Sequence, residues 1–101
     1  MTSGEPMHVS WDGRTYQFPT WIDNETANQI IADTGMDLPS WHKAIGEGDP
    51  IALRALLWVM KRQSGEDVPI GSLNFSVYDF HSAVFQGALA AQMQRVGPHV
   101  R

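Results

Sequence analysis

Four histidines, a pair of adjacent acids and three basic residues on one helix are the side chains of this 101-residue chain best placed to do chemistry. Their spacing decides whether they can. A helical zinc motif needs two ligands one turn apart on the same face. His8, His42, His81 and His99 fall instead on a predicted strand, on two different predicted helices and in the C-terminal tail, so no metal site is expected. Ser40 and His42 are two residues apart and point away from each other on a helix, and no GxSxG elbow accompanies them. Gly46-Glu47-Gly48 lacks both the GK[ST] ending of a phosphate loop and the pattern of a dinucleotide fingerprint, so it reads as a turn between helices. Glu66 and Asp67 are neighbours in a loop, a solvated pair and not a tuned acid–base dyad. The absence of cysteine removes disulfides, thiolate ligands and cysteine nucleophiles together. These observations argue against an enzyme and against a cofactor.

Arg54, Lys61 and Arg62 could contact phosphates. The chain as a whole carries a formal net charge of −4, however, and three basic residues are a weak footprint beside the basic stripe of a nucleic-acid binder. The N-terminal Met1-Thr2-Ser3-Gly4-Glu5-Pro6 has neither a basic start nor an apolar run, and no apolar run approaches the ~18 residues of a membrane span. The expectation is a soluble intracellular protein that binds neither nucleic acid nor membrane. At 43% hydrophobic and 18% charged residues the chain should fold, and its length supports one modest core.

The elements that would position any functional surface follow from turn and cap signals. Met7, Val9 and Trp11 alternate before Asp12-Gly13, and Tyr16 and Phe18 alternate after it, which predicts a hairpin over 7–18 with a type I′ turn. A lone hairpin is unstable in water, so Val9, Trp11, Tyr16 and Phe18 should rest on the helices that follow. Helices are predicted at about 23–34, 38–46, 50–63 and 77–96, the first three led by an aspartate or asparagine that can cap, and the second and third with a proline in the first turn. In the first helix Ala27, Ile30, Ile31 and Thr34 share a face, opposite Glu25, Asn28, Gln29 and Asp33. The predicted fold is mainly α with a small N-terminal β-hairpin (α+β), a single domain of about four helices over 7–96, flanked by a flexible N-terminus at 1–6 and a tail at 97–101.

Two helices carry more apolar surface than one core needs. In the helix at 50–63, Leu53, Leu56, Val59 and Met60 form a broad apolar face, while Trp58 sits among Arg54, Lys61 and Arg62 where water would be expected. In the last helix Phe80, Val84, Gly87, Ala88 and Ala91 make a small-residue side, and Phe85, Leu89, Met93 and Val96 a bulkier stripe opposite. The candidate protein-binding residues are therefore Trp58, Met60, Phe85, Leu89 and Met93, with Arg54 and Arg62 beside Trp58; the alternative is that the Trp58 sector and both sides of the last helix are internal. Self-association as a dimer, ring or array is equally compatible with such a stripe.

The pattern Thr34-Gly35, Leu38, Trp41, Ile45, Gly48-Asp49, Ala52-Leu53, Ala55-Leu56-Leu57-Trp58-Val59, Lys61-Arg62 and Asn74-Phe75 resembles the tail assembly chaperones of long-tailed (siphovirus-type) bacteriophages, especially those of actinobacterial hosts. It spans about residues 14 to 78. The resemblance implies a non-catalytic helper, acting in the cytoplasm of the infected bacterial host, that binds the tape-measure protein, keeps it soluble and assists assembly of the tail tube. Members of that family often continue into a longer frameshifted product, of which this chain would correspond to the short form. The alternative is a structural virion component, such as a minor tail or head–tail connector protein.

Overall fold

The computed structural model describes residues 7–96; the predicted N-terminal and C-terminal flanks, with His99, lie outside them. The described residues form a two-stranded antiparallel hairpin followed by four helices. Strands β1 (His8–Trp11) and β2 (Arg14–Gln17) pair with Val9 opposite Tyr16, and the ladder is extended by the Phe18 amide donating to the Met7 carbonyl at 2.8 Å. Asp12 and Gly13 both take positive φ, 53° and 76°, as a type I′ turn requires.

Helix α1 (Asn24–Thr34) starts where the Asp23 carboxylate accepts from the Thr26 amide at 3.1 Å, and ends at Gly35. Helix α2 (Leu38–Gly46) is capped by Asp37 through the Ser40 amide at 2.8 Å. Asp49 caps α3 (Pro50–Gln63), accepting from Ile51 and Ala52. After a 3₁₀ turn at Ile70–Ser72, α4 (Val77–Val96) begins with the Asp79 amide donating to Ser76 Oγ at 3.3 Å. Each start uses a side-chain oxygen to satisfy amides that the helix itself cannot reach.

Helix α3 is the axis of the core. Ala52, Leu53 and every residue from Ala55 to Met60 are buried, surrounded by α1, α2, α4, β2 and the 3₁₀ turn. Trp41 of α2 is fully buried against it, its indole N–H donating to the Ala52 carbonyl at 3.0 Å. The hairpin contributes Val9 and Tyr16, while Trp11, Phe75 and Phe80 meet edge to face with centroids 5.1–6.4 Å apart.

Two faces differ from the periodicity reading. On α1 the inward residues are Thr26 and Ile30, and Ile31 is exposed. The rotation is explained by Asp33, placed by periodicity on the side away from the apolar face but turned toward α3, where it accepts from the Arg54 guanidinium at 3.2 Å. On α4 the docked side holds Phe80, Val84 and Gly87, whereas Ala88 faces solvent. Gly87 lies directly over β1, where a Cβ would overlap the carbonyl oxygen of His8.

Candidate protein-binding surface

Of the seven side chains expected to meet a partner, the structure leaves three large apolar ones open: Phe85 (60% exposed), Leu89 (41%) and Met93 (62%). They follow one another at four-residue intervals along α4, and Tyr78, also exposed, extends the row toward the helix start. Their side of α4 lies opposite the Phe80-Val84-Gly87 side that packs on β1. No charged residue occurs between His81 and Arg95, so this surface has no ionic groups to keep it solvated. The Val96 side chain, expected at its end, lies outside what is described.

The α3 candidates are corrected. Met60 is 1% exposed, because the hairpin folds back over that end of α3 and covers the face on which Met60 lies. Trp58 is 7% exposed. The loop after α3 returns over it, so that the indole N–H donates to the Val68 carbonyl at 3.1 Å, and Arg62 stands 5.4 Å from the ring centroid. Neither side chain offers area to a partner. Arg54 and Arg62 face α1, paired with Asp33 at 3.2 Å and Glu25 at 3.7 Å. The two arginines of α3 thus form an inter-helix seam, invisible to a reading of α3 alone because their acids come from α1.

A polar cluster that the sequence reading passed over ties the hairpin to the end of α3. The Tyr16 hydroxyl donates to Glu66 Oε2 at 2.7 Å, and Lys61 Nζ donates to Tyr16 Oη and Glu66 Oε1, each at 3.1 Å. Ser64 and Arg14 complete the shell of Glu66. The available signal was Tyr16 itself: a tyrosine on the buried face of a strand needs a partner for its hydroxyl. Chiefly the Tyr16 hydrogen bond, then that of Lys61 and its charge, outweigh desolvation and hold Glu66 below the usual carboxylate range. Burial pushes Lys61 down, but its bonds to Tyr16 and Glu66 prevail and raise it.

The sign of the pH effect follows from these shifts. A carboxylate with a lowered folded pKa contributes stability that is complete above its unfolded pKa and disappears as pH falls through the folded one; a raised lysine contributes below its unfolded pKa and loses that contribution only at alkaline pH. The cap carboxylates Asp23 and Asp37, lowered by hydrogen bonds from Thr26 and Ser40, add to the acid limb. We expect Glu66→Gln to lower the melting temperature at neutral pH, with the difference from the parent chain closing as pH falls below the carboxylate range. Thermal unfolding followed by circular dichroism across that range measures it; a difference independent of pH would exclude an ionic role for Glu66.

The histidines remain apart. His42 is exposed with its Nδ1 3.1 Å from the Leu38 carbonyl, and His81 Nε2 lies 3.2 Å from the Gly46 carbonyl. Among the described residues no three His, Asp or Glu side chains converge as a metal-holding group, and no helix is long and apolar enough to cross a membrane. The arrangement can do one thing well: present an uncharged apolar helix side to another surface. No family model, curated protein or solved structure matches this chain.

Proposed function

We propose that this chain is a non-catalytic tail assembly chaperone of a long-tailed bacteriophage. In this reading it works in the cytoplasm of the infected host, covers apolar helical segments of the tape-measure protein, and assists the tail-tube protein in polymerising around them. The observation that carries the reading is the exposed Phe85-Leu89-Met93 row on an α4 side with no charged residue. A long helical client exposes apolar stripes until the tube encloses it, and an apolar helix side is the surface such stripes seek. Methionine adapts to irregular partners, and an aromatic ring supplies area at small entropic cost. The sequence pattern from Thr34 to Phe75 supports the same reading.

The burial of Trp58 and Met60 narrows the docking side to α4. Co-expression with the tape-measure protein, followed by affinity purification, tests it. The parent chain should retain the client, and Leu89→Gln combined with Met93→Gln should release it while leaving the fold intact, since both side chains are already exposed. Undiminished co-purification by the double variant would remove α4 from the mechanism. Recovery of the chain in fixed copy number from purified particles would favour a structural virion component instead.

A further inference from the structure

Helix α4 contains a segment whose residue classes are the same in either direction. From Phe85 to Met93 the order is Phe-Gln-Gly-Ala-Leu-Ala-Ala-Gln-Met: large apolar, amide, two small residues, leucine, two small residues, amide, large apolar. The centre of symmetry is Leu89. In an antiparallel pair of identical helices related by a two-fold axis, residues equally far before and after the axis stand level with each other across the contact. With the axis at Leu89, Phe85 of each copy meets Met93 of the other, and the two leucines meet in the middle. Thioether against aromatic ring is a favourable contact, and Gln86 of each copy, exposed three residues before Leu89, stands level with Gln92 of the other. A helix shaped only for an unrelated partner has no physical reason to be self-complementary.

The surroundings permit the pairing. All three large side chains are exposed, and α4 docks on β1 through its other side, so a second helix on the row meets no part of the hairpin. Without ionic groups between His81 and Arg95, two copies bring no like charges together along the seam. We infer that two copies of this chain associate through α4, antiparallel, about a two-fold axis at Leu89. Three large side chains per copy make a contact below the ~1,200 Å² of standard interfaces. The dimer is therefore of the weak, concentration-dependent kind. It uses the row assigned above to the client, so the two contacts exclude each other, but its basis is the symmetry of the segment and not the client reading.

Sedimentation of the full chain over a concentration series should show conversion toward twice the monomer mass. Leu89→Lys places two like charges at the axis and should weaken association about tenfold or more, with the circular dichroism spectrum unchanged. Phe85→Lys with Met93→Glu in one chain should restore the dimer relative to Phe85→Lys with Met93→Lys, because lysine then faces glutamate across the axis. The lack of natural cysteine allows a direct geometric check. Under mild oxidation Phe85→Cys and Met93→Cys chains, mixed, should cross-link with each other in preference to themselves. A parent chain monomeric at every concentration would overturn the inference and leave the row to the client alone. Self-linking of Phe85→Cys as readily as linking to Met93→Cys would overturn the antiparallel two-fold.

Discussion

Trp41→Ala should cost about 3–5 kcal/mol of unfolding free energy, the range for deleting a large buried aromatic side chain. Trp41 of α2 is fully buried against α3, and its indole N–H is engaged with the Ala52 carbonyl at 3.0 Å. Truncation removes both the packing and the hydrogen bond at the point where α2 is held to the central helix. A small domain has about 5–15 kcal/mol in total, so the loss is roughly a fifth or more of its stability. Urea unfolding followed by circular dichroism measures it. Trp41→Phe, which keeps most of the volume and loses the donor, should cost less, and the difference between the two separates packing from the hydrogen bond. A loss under about 1 kcal/mol for the alanine variant would place Trp41 outside the core.

Gly87→Ala is the second large effect, and its sign is the informative part. Helix propensity alone makes the change favourable by about 0.8–1.0 kcal/mol, since glycine is a poor residue in a helix interior. At Gly87 the added methyl meets the backbone carbonyl of His8, which belongs to a paired strand and cannot swing aside as a flexible side chain would. Relief requires α4 to move off β1, with overpacking penalties of about 1–3 kcal/mol or more. The expected outcome is net destabilisation, with faster amide exchange in β1 and β2 than in α3. Stabilisation by the substitution would mean that α4 does not lie on the hairpin as described. Because Gly87 faces away from the Phe85-Leu89-Met93 row, the same variant tests docking without touching the proposed partner surface.

The elements were legible because their signals are local. Asp23, Asp37 and Asp49 each reach an amide two or three residues ahead, and Asp12-Gly13 supplies both positive φ values of its turn. Such contacts are complete within a few residues, so neighbours alone specify them. The exposed row on α4 was legible for a related reason: a 20-residue helix with apolar residues on two sides can rest only one of them on a hairpin this small.

What periodicity could not decide was the source of the cover over α3. Spacing shows that Trp58 and Met60 are apolar positions on a helix, but the groups that exclude water from them come from elsewhere in the chain, Val68 for one and the hairpin for the other. The same holds for Arg54, a candidate partner contact until Asp33 of α1 is placed beside it, and for Glu66, an ordinary loop acid until Tyr16 reaches it across 50 positions of sequence. By itself the sequence determined where helices and strands begin and end and which of their sides avoid water, because those depend on backbone donors and residue period. Only the tertiary structure decided which apolar side is covered by this chain and which is left for another, because burial depends on long-range contacts that no local pattern encodes.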